Sequence, residues 1–474
     1  MPLRRSGRGL EQGCGAGVAM TITQTMAAHA ANRPRDWSDL AKKRANFMFV
    51  DTVAVMVAGR REPATINVFN TLKRWSGRGE AVEFVHGGTM PAPWTAMVNG
   101  TSAHALDYDD AFEPALTHAG AVLVPALLAL GAERRASGRD LVDALLVSLD
   151  VQAALAAAMN LGHYGRGWHT TVTFGVPSAA AGCGRLLGFD AHTMRMAISA
   201  STSFATGLKR QFGTQTKPFH AGLAAHNGIM AASLAEAGLE AAGESLEGRG
   251  SFGDLLGTPG MPGFGRAAER LAGRAAMDEY GIWIKVYPCC ASAHRPIDAV
   301  LTLRGDAPVA ADEVERIDVH LSEVAKGNLT YDRPSNDMEA RFSINHCVAA
   351  ALVDGAVELR HFSPEQIARP DLQAVWPKVF MHMDPDLPAS APPSPEKEKA
   401  RVVLRLRNGE VREQTAFFPY GHTRNFVSEE MLARKFDDCV GGHLPAAAAD
   451  ALRERLFHFD AVDDVAEIFG ILAG

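Results

Sequence analysis

Residues 104–120 read His-Ala-Leu-Asp-Tyr-Asp-Asp-Ala-Phe-Glu-Pro-Ala-Leu-Thr-His-Ala-Gly, which sets four acids and two histidines in an otherwise apolar, alanine-rich stretch. Burying carboxylates costs free energy unless they are paired or hydrogen-bonded, so such a cluster entering a hydrophobic segment points to a task. Val98, Ala103, Ala105 and Leu106 precede it and an apolar run follows, which places Asp107 and His118 near a core wall. Histidine titrates near neutrality and both takes and returns protons, while a neighbouring aspartate orients it and tunes its pKa. His169 is the second candidate, in Gly165-Arg-Gly-Trp-His-Thr-Thr, where two glycines allow tight turns and Trp168 supplies a wall. In Gln215-Thr-Lys-Pro-Phe-His220, Lys217 is expected just outside a helix start, a place suited to a carboxylate; the plain alternative is an exposed lysine. Lys285-Val-Tyr-Pro-Cys-Cys and His294-Arg-Pro-Ile-Asp follow, and Tyr331-Asp-Arg-Pro sits between a strand and a helix, within reach of a ligand held between domains.

Two other chemistries fit less well. Asp109-Asp110-Ala-Phe-Glu113 matches the DDxxE pattern by which helical terpenoid synthases hold magnesium. That chemistry needs a second motif, and Asn336-Asp337 has Ala340 and Ile344 where ligands should stand. The vicinal pair Cys289–Cys290 lacks a third ligand at metal spacing, so buried packing is the expectation for both thiols.

These residues need a scaffold. Asp36 and Gly59 bracket a helical pattern at Trp37–Ala58, and similar Ala/Leu/Met/Val patterns follow at 94–106, 119–134, 139–160, 177–187, 190–206 and 219–237. Near residue 280 the character changes. Strand patterns occur at Ile282–Val286, Arg316–Leu321, Lys378–Met383 and Arg401–Leu406, the last joined through Asn408-Gly409 to Glu410–Phe418. Helical patterns at 294–304 and 340–356 lie among them, and Pro385–Pro395 reads as a surface loop. Ser428–Val440 and Leu452–Phe457 are helical again. The expected fold is mainly α: a helical domain over 20–274, an α+β lid over 275–420, and C-terminal helices over 421–474 returning to the first domain. Residues 1–19 read as a disordered extension, with Met20 an alternative start.

The 474 residues are 47% hydrophobic and 21% charged, enough for a large core. With 47 basic and 54 acidic side chains the net charge is −7, which gives no footprint for nucleic acid or anionic membrane. The run Ala119–Leu130 is too short to span a bilayer and is broken by Pro125. Cys14, Cys183, Cys289, Cys290, Cys347 and Cys439 form no CxxC, and the start lacks the apolar core of a signal peptide, so a reducing cytoplasm is expected.

Taken in order, the blocks Asn99-Gly100 to Asp110, Thr117-His-Ala-Gly120, Gly167-Trp-His169, Thr216-Lys-Pro-Phe-His-Ala-Gly222, Lys285 to Cys290 and Glu339-Ala-Arg-Phe-Ser343 resemble the MmgE/PrpD family. That family includes 2-methylcitrate dehydratases, cis-aconitate decarboxylases and iminodisuccinate epimerases. The resemblance implies a homodimer, no metal or organic cofactor, and an active site between the domains with Asp107, His118, His169, Lys217, Lys285 and Tyr331 on active-site positions. From the chemistry of these side chains the expectation is that His118 and His169 form an acid/base pair, that Asp107 orients or tunes one of them, that Lys217 and Lys285 grip carboxylates of a small polycarboxylate, and that Tyr331 donates a hydrogen bond or proton. Three departures stand out: Ala111 in place of a threonine of the decarboxylase branch, one extra residue between Asp107 and His118, and Cys290 in place of a histidine. They argue against cis-aconitate decarboxylation without choosing between dehydration and epimerisation. A hydro-lyase acting on a 2-methylcitrate-like acid is the first expectation, an epimerase of a dicarboxylate the second, and a silent dimeric binding protein the reading from another class.

Overall fold

Capping side chains fix where the helices begin. Thr21 and Gln24 form a reciprocal capping box ahead of α1 (Ile22–Asn32), and the Ser38 hydroxyl accepts the Ala41 N–H ahead of α2 (Asp39–Gly59). The computed structural model describes residues 20–258, 263–305, 309–384, 386–387 and 398–473. The expected extension 1–19, and most of the Pro385–Pro395 loop, lie outside these residues.

The body of the molecule is helical: α3 (Ala92–Ala105), α4 (Gly120–Arg134), α5 (Gly138–Met159), α6 (Gly175–Leu186), α7 (Ala191–Ser201) and α8 (Thr216–Glu236) pack with α1 and α2. Helix α5 is long and apolar enough to cross a membrane, and here 94% of its apolar window is buried in the core. Small residues set the spacing that matters for the site. A Cβ on Gly222 would stand 2.1 Å from the Met97 carbonyl oxygen, so only glycine lets α8 lie this close on α3. That approach brings the start of α8 against the end of α3.

After α9 (His294–Arg304) comes a four-stranded sheet: β1 (Val314–Leu321), β2 (Val379–Met383), β3 (Ala400–Leu406) and β4 (Val411–Ala416), in the order β2-β1-β3-β4. β1 and β2 are parallel, with Ile317 opposite Val379, and the other pairs are antiparallel. α9 and α10 (Ile344–Asp354) cover one face. Helices α11 (Glu429–Val440), α12 (Ala446–Phe457) and α13 (Ala466–Ala473) close the chain. The largest hydrophobic cluster draws on residues between 22 and 284 and again between 427 and 469; a second draws on residues between 289 and 406.

The structure corrects several expectations. Ile282–Val286 is no strand: Trp283 exchanges two backbone hydrogen bonds with Ala111 and the run stops there, because a buried segment without a neighbouring strand has no ladder to join. Ala275, Met277, Ile282 and Ile284 pack in the large helical cluster, not with the sheet, so the unit expected to open at 275 gathers its own core only from Cys289 onward. Ser38, not Asp36, caps α2, and Gly59 lies inside that helix. Thr216 opens α8 earlier than the pattern suggests, which puts Lys217 in its first turn.

Candidate active site

A cavity of about 170 Å³ lies between the helical body and the sheet unit. His118, His169, Lys217, Phe212 and Tyr164 line it from the body; Cys290, Ser292, Arg295, Ser322 and Asn328 line it from across.

Just behind the wall, at the end of α3, Asp107 takes a left-handed backbone conformation, φ 49°, that L-residues adopt rarely and at a cost. Its Oδ1 accepts Lys217 Nζ at 2.7 Å and Lys285 Nζ at 3.1 Å, and its carbonyl takes a further bond from Lys285 at 2.9 Å. All three side chains are buried. Burial opposes ionisation of Asp107, but the two ammonium groups and His118 outweigh it and hold the carboxyl well below its usual range. Burial likewise works against the charge on Lys285, and Asp107 and Asp109 reverse the balance and raise its pKa. Lys217 rests over the rings of Phe212 and Phe342. Other groups brace this centre. Lys435, from α11, pairs with Asp51 at 2.6 Å and bonds the carbonyls of Tyr108 and Lys285, each at 2.8 Å. Arg341 bonds the carbonyls of Leu106 and Pro288.

The imidazoles stand beside this charge centre. His118 Nδ1 lies 2.9 Å from the Asp110 carbonyl and 3.4 Å from Asp109 Oδ2, both acceptors, so Nδ1 carries the proton. Its Nε2, 3.9 Å from Asp107 Oδ1, therefore presents a lone pair. Burial, then Lys285 and Lys217, push the His118 pKa well down despite Asp109, which leaves the ring neutral and able to accept a proton. His104, 2.8 Å from Asp109, has its ring centroid 4.5 Å from that of His118, the two rings tilted by 52°. His169 contacts His220 through Nδ1 at 3.0 Å, and its buried Nε2 has no partner among the described residues.

The DDxxE acids divide three ways. Asp109 serves His104 and His118; Asp110 accepts the Gly120 N–H at 2.7 Å at the start of α4; Glu113 accepts His422 at 2.7 Å and Arg295 at 3.2 Å. Burial and the charges of Asp109 and Asp51 raise Asp110 well above the ordinary carboxyl range. They form no shared oxygen cage. His104, Asp107, Asp109 and His118 do bring ligand atoms within 4.8 Å of one another, but Lys217 and Lys285 already supply the positive charge a metal ion would bring to Asp107.

His118, His169 and Lys217 thus reach the cavity. Lys285 does not: both of its bonds go to Asp107, so its expected direct grip on substrate gives way to fixing the carboxylate that fixes Lys217. Asp107, too, lies behind the wall. Tyr331 also stands back, its hydroxyl donating to the Phe212 carbonyl at 3.1 Å; Gly213, φ 80°, leaves it room. Tyr164, whose hydroxyl bonds Asn328 across the cleft at 2.9 Å, occupies the wall instead. Tyr164, Lys435 and Arg341 carried little signal, since each acts through a partner remote in sequence or through a backbone carbonyl; His104 lay within the cluster but was not singled out as a site residue.

The models of the MmgE/PrpD N-terminal and C-terminal domains match residues 24–263 and 287–457. The chain belongs to the MmgE/PrpD family. Cis-aconitate decarboxylases of Mus musculus and Homo sapiens are 29% and 28% identical over 361 and 396 residues, covering 73% and 81% of this chain and 71% and 80% of the relatives. That of Aspergillus terreus is 24% identical over 457 residues, 91% of each chain. Ala111 and Cys290, two of the three positions expected from the sequence to depart from the decarboxylase branch, lie on the cavity wall of this MmgE/PrpD chain.

Proposed function

We propose that this chain is a lyase acting on a small polycarboxylic acid by proton transfer at a carbon next to a carboxylate, with dehydration of a 2-methylcitrate-like hydroxy acid as its reaction. The observation that carries this reading is the neutral His118, its lone pair at Nε2, on the same wall as His169 and the ammonium of Lys217. Lys217 gives one N–H to Asp107 and keeps two for a substrate carboxylate. Positive charge there stabilises the enolate-like state that follows loss of the α-proton to His118. His169 Nε2 then protonates the departing hydroxyl. Lys285 works through Asp107, and the sheet unit serves as the lid that closes the cavity. The setting we infer is the reducing cytoplasm, as a homodimer; the five described cysteines are all free, in keeping with that.

A second reading is cis-aconitate decarboxylation. Similarity to such enzymes favours it, and so does the apolar wall at Ala111, Leu116, Leu161 and Trp283, since a carboxylate stripped of water departs more readily as neutral carbon dioxide. The test is incubation with 2-methylcitrate, citrate and cis-aconitate, following alkene absorbance and carbon dioxide release. An absorbing alkene from a hydroxy acid supports the first reading and carbon dioxide from cis-aconitate the second. Absence of both signals would remove both readings.

A further inference from the structure

His169 and His220 meet through their Nδ1 atoms at 3.0 Å, so one ring must donate and the other accept. Burial, then His220 and Lys217, hold His169 well below the ordinary histidine value; burial, then His104 and Lys217, lower His220 to about 4. Both rings are therefore neutral at neutral pH, and the pair has two tautomeric arrangements. With His220 donating, His169 carries its proton on Nε2, facing the cavity. With His169 donating, that same Nε2 is a bare lone pair. His169 is anchored by its backbone N–H to the Gly207 carbonyl and is 1% exposed. His220, in α8 behind the wall, is 6% exposed; its Nε2 makes no hydrogen bond to the described residues and, unlike that of His169, is not enclosed.

We propose that His220 is a positioning residue that relays protons between solvent and His169, so that the cavity need not open to water to reset its acid. This rests on the reading of His169 as the acid of a lyase. As His169 gives its Nε2 proton to the leaving hydroxyl, which departs as water with the C–O electron pair, the Nδ1 proton of His220 passes to His169 Nδ1. A solvent water gives a proton to His220 Nε2 and is left as hydroxide, and both rings end neutral. The α-proton, passed on from His118 to His169 Nε2, then drives the reverse sequence: the His169 Nδ1 proton returns to His220 Nδ1, the His220 Nε2 proton neutralises the hydroxide, and the starting tautomers are restored.

The test uses the full chain labelled with 15N-histidine, as wild type and His220→Asn. Asparagine offers a hydrogen-bonding atom near the Nδ1 position but cannot pass a proton through. The relay predicts that exchange of the His169 ring proton with solvent deuterium slows by about tenfold or more at unchanged melting temperature. It also predicts that kcat on whichever acid the wild type turns over falls by about the same factor at constant KM, with both restored by added imidazole. Should His220→Asn fold poorly, His220→Ala filled with imidazole provides the same comparison. Exchange at the wild-type rate in the variant overturns the relay, as does an unaltered kcat. The exchange measurement needs no substrate, so failure of the relay is distinguishable from a protein that is not a lyase.

Discussion

The two faces of the cavity are built on different principles. The face from the helical body carries the imidazoles of His118 and His169 and the ammonium of Lys217, which is fixed by one buried carboxylate that it shares with Lys285. The face from the sheet unit carries a thiol, hydroxyls, an amide, the acids Glu323, Asp386 and Glu398, the ammonium of Lys399 and one guanidinium, Arg295, which reaches Glu113 and the Phe417 carbonyl. On the function proposed above, reaction chemistry rests where charge is most tightly compensated, and recognition where single contacts can change without upsetting a buried network. Of the two wall positions expected from the sequence to depart from the decarboxylase branch, Cys290 lies on the sheet-unit face and Ala111 on the body face, bonded to Trp283, while the Asp107 centre keeps both lysines.

That contrast can be broken by substitution. His118→Asn should lower kcat by about 10³-fold or more, because it removes the proton acceptor. It should change the melting temperature little, since the side chain is 17% exposed and bonds mainly a carbonyl; steady-state kinetics and a melting curve check both. Lys285→Met should act first on stability, costing about 3–5 kcal/mol in urea unfolding, because half the compensation of a buried carboxylate is lost. Acid should not separate the two units. His163 in the body and His346 in the sheet unit are both lowered to about 4 by burial. Between pH 6.5 and about 4 the unfolded chain binds protons there that the folded chain refuses, so stability falls as pH falls, by roughly 1.4 kcal/mol per pH unit for each such histidine. Asp51 and Asp110, raised by burial, oppose this in sign but are outnumbered by the buried histidines. Melting followed across that range should show one transition moving steadily down. Arg295→Met should have the smallest effect: a KM raised by about tenfold with kcat nearly kept, as expected for lost ground-state binding.

Much of this was legible in the sequence because periodicity and clustering report local causes. The helices α3 to α6 follow from apolar spacing, and the strands either side of Asn408-Gly409 from alternation. The cluster at 104–118 and His169 announced themselves through polar residues in apolar surroundings. What stayed hidden depends on long-range partners. The burial of Lys285 follows from Asp107, far away in the chain, and Lys435 reads as an ordinary helix lysine until α11 folds back onto Asp51. Ile282–Val286 has a strand's composition, but whether a partner strand lies beside it is decided by the rest of the fold.

The proposed reaction requires His118 to exchange a proton with a carbon next to a carboxylate. Its most direct test is proton NMR of citrate, 2-methylcitrate and cis-aconitate incubated in heavy water with wild-type protein and with His118→Asn. Deuterium is expected at such a carbon, in product or recovered substrate, with wild type and almost none with the variant. Equal incorporation by the two proteins would contradict it.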